Sequence, residues 1–345
     1  MSTARSVNET IRDDSIDRQA WLVRMSRARA AQMIGELERV ERDIIGRIER
    51  TNPETFGEYR LKQMLNTVGD MVGDLRHVAQ DKLKEYIHDT ARREREWMIG
   101  ELRSAVPISL DFTSPSLTAI YANVYQRPMD GVMIRTWWRD MDRGLRTAIE
   151  REIRIGYIEG QTPMEIARRL RGTRRAGYED GVFGRVVHRR VEALVNTALR
   201  HAQSVAREEL YDGNSDLIKG VQIVATLDAS TSLICMNYDG QVFDVGEGPR
   251  PPFHPNCRSA TIPVLKSLRE LGVDMDEVPD STRASMDGQV PDKIRFPEWI
   301  KSQGQERQIR VLGKERWQAW QDGKVTLSQL SADTRIPTLA ELGLR

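Results

Sequence analysis

The stretch Lys-Gly-Val-Gln-Ile-Val-Ala-Thr-Leu at residues 219–227 marks the point where the pattern of the sequence changes. Its branched apolar residues form a short run that is typical of a β-strand. Residues 239–243 indicate a turn into a second short strand, and a third apolar segment spans residues 260–265. The sequence therefore predicts a small α+β module at residues 219–265.

The sequence before this module predicts helices. Between about Asp14 and Leu102 the pattern is almost free of helix breakers, except at Asn52-Pro53, where proline disfavours helix in the preceding residue. We expect two long helices that form an antiparallel hairpin, and such a hairpin must pack on the rest of the chain or on another subunit. The first apolar stripe recurs at spacings of three and four and contains Trp21, Met25, Ala28, Ile34, Leu37, Ile44 and Ile48.

The middle of the chain predicts further helices, from Met133 to about Ile158 and from about Arg185 to Leu210. Between them, Thr162 is a candidate N-cap, with Pro163 at the first helical position and Glu165 at the third. Residues 171–184 are expected to form a loop.

The chain after the module is expected to contain a polar, mobile segment at residues 274–291 and then short helices. We predict a mainly α fold with a small α+β module. Its segments are an N-terminal helical hairpin at 1–105, an Arg-rich helical middle at 106–218, the module with its Cys/His loop at 219–265, and a linker with a short-helix tail at 266–345. The apolar anchors expected in the tail are Trp299, Ile300, Leu312, Trp317, Trp320, Leu327, Leu330 and Leu339.

The composition excludes several classes of protein. The 345 residues contain 52 basic and 51 acidic side chains, so the net charge of +1 excludes a uniformly basic protein that coats nucleic acid. Two cysteines do not make a disulfide framework, and no run approaches the roughly 18 apolar residues of a membrane span. Since an apolar leader is also missing, we expect a soluble protein made in a reducing cytoplasm, with no membrane partner.

The charge is unevenly distributed. Residues 135–207 contain sixteen Arg, no Lys and nine acids, a local balance of +7 that leaves −6 for the rest of the chain. A phosphate-contacting surface explains this bias, and so does an Arg-rich helical region that pairs with its acidic neighbours or reflects a GC-rich genome. The candidate nucleic-acid contacts are Arg168, Arg169, Arg171, Arg174, Arg175, Arg189 and Arg190.

Both cysteines and one of the five histidines fall in the module, at Cys235, His254 and Cys257. The His-x-x-Cys spacing lets a ring nitrogen and a thiolate point at the same centre, which suits tetrahedral zinc with Asp228, Asp239 or water as fourth ligand. The alternative is that the cysteines are small buried hydrophobes and the histidine hydrogen-bonds the loop.

Two enzymatic alternatives involve the same module. Ser230-Thr231-Ser232 resembles the Ser-Thr-Ser element of mono-ADP-ribosyltransferases, with Arg200 as the upstream arginine, but no Glu-x-Glu follows. A metal-dependent nuclease built on His254 and Asn256 is the other alternative, although no acidic cluster adjoins this histidine.

Residues 219–264 resemble the Mu F-like head-morphogenesis proteins of tailed bacteriophages, the minor head or minor capsid proteins. The resemblance is densest in residues 219–235, 239–243 and 248–259, and it continues more loosely at residues 196–198, 206–208, 299–303, 311–313 and Arg316. The resemblance implies a structural motif formed by Asp228, Asp239, Gly240, Pro252, His254, Asn256, Cys257 and Arg258.

The resemblance implies a non-enzymatic virion component that acts in procapsid and head morphogenesis and is often close to the portal. Its expected partners are the portal protein, the major capsid protein and packaged DNA, with several copies per virion. Its expected location is the capsid interior or portal vertex, and the host cytoplasm during assembly. Some members assist DNA packaging or ejection. Some carry a Cys-x-x-Cys pair where this chain has Cys235 alone, which removes one zinc ligand.

Overall fold

The computed structural model describes residues 6–129, 131–276, 282–330 and 336–344, without the side chains of residues 75, 141 and 142. It confirms a mainly helical chain with a small antiparallel sheet module. None of the described helices is both long enough and apolar enough to cross a membrane. The helices are α1 Val7–Glu49, α2 Glu58–Ala105, α3 Leu117–Gln126, α4 Ile134–Ile158, α5 Pro163–Arg171, α6 Arg189–Asp212, α7 Leu233–Tyr238, α8 Phe296–Ser302, α9 Gln305–Leu312 and α10 Lys314–Gln321. The strands are β1 Ile218–Val224, β2 Val242–Phe243, β3 Ala260–Leu265, β4 Thr282–Ser285 and β5 Gly288–Pro291.

The chain divides into two compact units. Unit 1 comprises Met1–Val23, Thr90–Val124 and Arg200–Arg345, and unit 2 comprises Arg24–Asp89 and Tyr125–Leu199. The predicted segments 1–105 and 106–218 each contribute residues to both units, whereas segments 219–265 and 266–345 belong to unit 1.

The two long N-terminal helices form because an apolar stripe runs along each of them, and they pair in antiparallel fashion as predicted. In unit 2, Arg29 Nη2 of α1 lies 3.2 Å from Asp89 Oδ2 of α2, and Gln32 Oε1 lies 3.5 Å from the Tyr86 hydroxyl. Residue numbers therefore rise along α1 as they fall along α2. Leu37 is fully buried, whereas Ala28 of the same predicted stripe is exposed.

Unit 1 is organised by a three-stranded antiparallel sheet with the strand order β2-β1-β3. The central strand β1 is buried on most of both faces, which explains its nearly continuous apolar run. Its neighbour β3 lies at the edge of this sheet, where Pro263 is tolerated because no further strand of the described residues needs its missing N–H. Ends of α1, α2 and α6 pack against this sheet through residues that include Ile11, Leu102 and Leu210.

The tail of unit 1 forms a second apolar cluster, which confirms most of the predicted anchors. Trp299, Ile300, Leu312, Leu327 and Leu330 are buried in it, and Trp317 and Trp320 pack against it half-buried.

The polar segment at residues 274–291, predicted to be mobile, contains two strands in its second half. Strands β4 and β5 form an antiparallel hairpin with Arg283 opposite Val290. Residues 277–281 lie outside the described residues. The hairpin has little apolar pattern because its anchor is a charge: Arg283 is 1% exposed and bonds to Asp239. Local sequence patterns carry no signal for a partner 44 residues away.

Unit 2 contains α4, α5 and the first part of α6. The predicted cap of α5 is confirmed: the Thr162 hydroxyl accepts from the Glu165 backbone N–H, while the Glu165 carboxylate accepts from Thr162 N at 2.7 Å. The expected loop at residues 171–184 contains a short 3-10 turn at Arg174–Ala176. A π-helical turn, Phe183–His188, then leads directly into α6.

Candidate metal centre

Cys235 is held in the first turn of α7 by a helix cap. The Ser232 hydroxyl accepts a hydrogen bond from the Cys235 backbone N–H at 3.2 Å, as an N-cap serine does. The Cys235 side chain is 2% exposed and packs in an apolar cluster with Ile223, Tyr238 and Phe253. The capped turn therefore fixes the direction of the Cys235 sulfur.

A tight turn brings His254 and Cys257 together. The Cys257 backbone N–H donates to the His254 carbonyl at 3.1 Å, and Asn256 adopts a positive φ of 59°. Proline at the second position and asparagine with positive φ at the third are what a type II turn requires. The His-Pro-Asn-Cys sequence thus encodes the turn that places both side chains on one side.

The three predicted metal ligands meet at a single point. Cys235 Sγ lies 3.6 Å from Cys257 Sγ and 3.3 Å from His254 Nε2. All three ligand atoms lie within 4.8 Å of one another, so the group could hold a metal ion. Both sulfurs are buried, while His254 is half-buried.

The orientation of the His254 ring suits ligation through Nε2. Its Nδ1 lies 2.9 Å from the Pro255 carbonyl oxygen. Because a carbonyl only accepts, Nδ1 carries the proton and Nε2 keeps its lone pair. That lone pair faces Cys235 Sγ and accepts from the Ser232 hydroxyl at 2.9 Å. A backbone carbonyl that fixes the histidine tautomer in this way is a usual feature of metal sites.

The two sulfurs lie within hydrogen-bonding distance of each other. Cys235 donates its S–H toward Cys257, and this bond, together with burial, raises the pKa of Cys235 well above its ordinary value. The same bond from Cys235 lowers the pKa of Cys257 well below its ordinary value. The buried pocket therefore favours one thiolate beside one thiol, since two buried negative charges would repel each other.

Asp239, a predicted zinc ligand, lies outside this group. Its side chain is fully buried, and its two oxygens accept from Ala225 N, from Phe296 N and twice from the Arg283 guanidinium, at 2.9 to 3.0 Å. All its hydrogen-bonding capacity is directed to these groups. Gly240 follows it with a φ of 80°, a conformation that favours glycine.

Asp228, the other acidic ligand considered, pairs with Arg258. The Arg258 guanidinium forms a bidentate contact with both carboxylate oxygens, and Ser230 N donates to the carboxylate at 2.8 Å. Burial would raise the pKa of Asp228, but the bonds from Arg258 outweigh it and lower the pKa. The pair ties the start of the turn before α7 to the residue after Cys257. Pro252, also part of the predicted motif, is buried and follows a cis peptide bond.

Arg283 is the site residue that sequence reasoning missed. It lies in a polar stretch with no apolar periodicity, yet its guanidinium closes the Asp239 network and also donates to the Ala225 carbonyl at 3.3 Å. One available signal was the unexplained acid Asp239 in an otherwise apolar stretch, because a buried carboxylate requires a cationic partner.

The structure places the seven candidate nucleic-acid arginines in unit 2, in α5, the following loop and α6. Arg169 contacts Glu152 at 2.8 Å and Glu159 at 2.7 Å, and Arg171 contacts Glu49 at 2.5 Å. Arg190 lines a cleft with Trp137 and Asp140. The remaining four are exposed: Arg168, Arg174, Arg175 and Arg189.

The residues of the enzymatic alternatives are placed differently. Ser230-Thr231-Ser232 forms a turn that ends in the N-cap of α7, and Arg200 is buried on α6. Among the described residues, the metal-ligand group contains no carboxylate that could activate a water molecule.

We compared the chain with protein-family models, with curated proteins and with solved structures, and none of them matches it. The resemblance to Mu F-like head-morphogenesis proteins therefore depends on the motif residues alone.

Proposed function

We propose that this chain is a non-enzymatic minor head protein of a tailed bacteriophage. It acts in procapsid and head morphogenesis near the portal, contacts the portal or major capsid protein, and assists DNA packaging or ejection. The observation that supports the proposal is the arrangement of the motif: its aspartates, arginine, cysteines and histidine are engaged with each other and with the backbone. Such internal pairing fits a structural module better than a reactive site.

Within this module, Cys235, His254 and Cys257 hold a structural zinc ion. Tetrahedral zinc with bonds of about 2.3 Å to sulfur and about 2.0 Å to nitrogen separates two sulfurs by about 3.8 Å, and sulfur from nitrogen by about 3.5 Å. The sulfurs lie 3.6 Å apart, and Cys235 Sγ lies 3.3 Å from His254 Nε2, so both separations suit this geometry. Water or the Ser232 hydroxyl completes the coordination.

Metal analysis of the purified protein tests the zinc site. We expect about one zinc ion per chain, lost in Cys257→Ser and His254→Ala together with a lower melting temperature, because binding a structural metal contributes directly to folding. His77→Ala, which alters an exposed histidine, is the matched control and retains zinc. A wild-type protein that is folded without metal and is not stabilised by added zinc would contradict the site.

The role in the head is tested by co-expression with the portal, scaffolding and major capsid proteins of the same phage. We expect the chain to sediment with procapsids. Procapsids that assemble in its presence but do not contain it would contradict the proposal. A nuclease assay tests the enzymatic alternative. Hydrolysis of DNA or RNA that disappears in a folded His254→Ala variant would overturn the non-enzymatic assignment.

A further inference from the structure

Unit 2 has a polar concavity at the turn between α1 and α2. Its volume is about 290 Å³, and three arginines from both sides of the turn line it: Arg47, Arg50 and Arg60. The rest of its lining is almost entirely threonine and amide side chains, with Met64 as its apolar contribution. No acidic side chain lines it among the residues that the structure describes.

The turn that carries these arginines is fixed by its own hydrogen bonds. Thr51 N donates to the Ile48 carbonyl at 3.0 Å, and the Asn52 side chain accepts from Glu54 N at 2.9 Å. Pro53 adds a restricted φ at the start of the short 3-10 turn. The end of α1 and the start of α2 are therefore held in one arrangement on the two sides of the concavity.

The position of Arg60 is not explained by helix stability. A cation in the last turn of a helix interacts favourably with the helix dipole, which accounts for Arg47 at the end of α1. Arg60 lies in the first turn of α2, where the dipole favours anions and disfavours a guanidinium. An anion bound beside Arg60 would remove this conflict.

The acid nearest in sequence to these arginines pairs elsewhere. The Glu49 carboxylate, next to Arg50, contacts Arg171 Nη2 at 2.5 Å. Within the described part of the chain, no carboxylate lies within 4.0 Å of the guanidinium groups of the three arginines that line the concavity. By contrast, Arg169 in the same unit is paired twice. The concavity thus presents three guanidinium groups that form no ion pair with a carboxylate of the described residues.

We propose that this concavity binds phosphate groups of the DNA backbone. Guanidinium forks match phosphate oxygens in geometry, and backbone contacts are typically made by arginine, threonine and amide side chains. With no aromatic side chain in the lining to stack on a base, the contact is independent of sequence. The choice of packaged DNA as the polyanion rests on the proposed function, whereas the site itself rests on the charges and shape of the turn.

The test measures binding of the full-length protein to a fluorescein-labelled DNA duplex of arbitrary sequence between about 50 and 200 mM salt. We expect Arg47→Gln/Arg50→Gln/Arg60→Gln to weaken binding at least about tenfold. We also expect it to reduce the slope of log affinity against log salt by about 2 to 3, because each lost phosphate contact removes about 0.9. Unchanged affinity and slope would overturn the proposal.

A matched variant removes the same charge elsewhere in unit 2. Arg24→Gln/Arg27→Gln/Arg135→Gln changes three exposed arginines that line none of the described cavities, so we expect it to retain most of the affinity and the slope. An equal loss of DNA affinity in both variants would mean that binding depends only on net charge, and this would overturn the proposed site. Circular dichroism and thermal melting establish that both variants are folded.

Titration with inorganic phosphate separates the two sources of the anion. If inorganic phosphate binds to the wild type and not to the triple variant, while the triple variant keeps its DNA affinity, the site binds a small anion and the DNA proposal fails. Such a failure is distinct from a failure of the proposed head function, because sedimentation with procapsids is measured independently of DNA binding.

Discussion

The Cys/His module of unit 1 and the arginine-rich helices of unit 2 use the same kinds of charged pair in opposite surroundings. In unit 1, Asp239 of the module pairs with Arg283 of strand β4, and their side chains are 0% and 2% exposed. In unit 2, the side chains of Glu49 and Arg171 are 32% and 42% exposed, although their charged atoms are closer, 2.5 Å apart against 3.0 Å in the buried pair. Distance alone therefore does not say how much an ion pair contributes to folding.

The difference lies in desolvation. A buried carboxylate has lost its water, and it is tolerated only when other donors replace that water, as Ala225 N, Phe296 N and Arg283 do for Asp239. An exposed carboxylate keeps most of its water whether its partner is present or not. We therefore expect the stability of the protein to depend strongly on the first pair and weakly on the second.

The largest effect is expected for Arg283→Met. It leaves Asp239 buried without its cation, which typically destabilises a protein by about 3 to 5 kcal/mol, measured here by urea unfolding. The exposed pair of Arg307 and Asp287 provides the control, since Arg307→Met should change the stability little. If both variants lose the same stability, burial is not what distinguishes the pairs.

A smaller effect is expected for Asp228→Asn. The Asp228–Arg258 contact is bidentate but its side chains are 18% and 27% exposed, so the loss should be about 1 to 2 kcal/mol. Because the folded protein lowers the pKa of Asp228, this contribution is present above the ordinary pKa and is lost as pH falls through the lowered one. The stabilities of wild type and variant should accordingly converge in acid, and a difference that persists at low pH would contradict an ionic origin.

Glu101 shows what happens to an acid in unit 1 that has no cationic partner among the described residues. Burial, reinforced by the adjacent carboxylate of Asp14, raises the pKa of Glu101 to about 7. The contribution of protonated Glu101 to the free energy of unfolding is present in full below its ordinary pKa and is lost as pH rises through about 7. Glu101→Gln, which cannot ionise, should therefore be more stable than wild type at pH 8 by about 1 kcal/mol, a value reduced because Glu101 is only partly buried.

Urea unfolding at pH 5 and pH 8 provides the measurement for Glu101→Gln. Near pH 5 the wild-type carboxyl is mostly protonated in the folded state, so the two proteins should be close in stability. Glu306→Gln, at a side chain that is 90% exposed, is the control and should change stability little at either pH. A stabilisation by Glu101→Gln that is equal at both values would exclude titration as its cause.

Sequence patterns sufficed for the features that depend on neighbours along the chain. The helix stripes, the Thr162 cap and the strands at residues 218–224 and 260–265 are local patterns, and the His-Pro-Asn-Cys turn brings two predicted ligands together within four residues. Cys235 lies close to these two ligands because the capped helix that carries it follows β1 closely along the chain.

The features that sequence reasoning did not find depend on distant partners. Asp239 looked like a ligand because the sequence did not reveal Arg283, and Arg169 looked like a DNA contact although Glu152 lies 17 residues away across the α4–α5 turn. The concavity at the α1–α2 turn was missed for the same reason, since its arginines lie at the end of α1, in the turn and at the start of α2 and are not concentrated in a basic run.

The smallest effect is expected for Arg171→Gln. Its pair with Glu49 is exposed on both sides, so the loss should be about 0.5 kcal/mol at low salt. Raising the ionic strength to about 1 M shortens the screening length to about 3 Å, and the difference between wild type and variant should then disappear. Arg283→Met should keep nearly its full effect at the same salt, because solvent ions do not reach the buried Asp239. If high salt abolished both effects, Asp239 would be accessible to water, and the contrast between the two units would fail. If it abolished neither, the Arg171 effect would have to come from packing of its aliphatic stem and not from its charge.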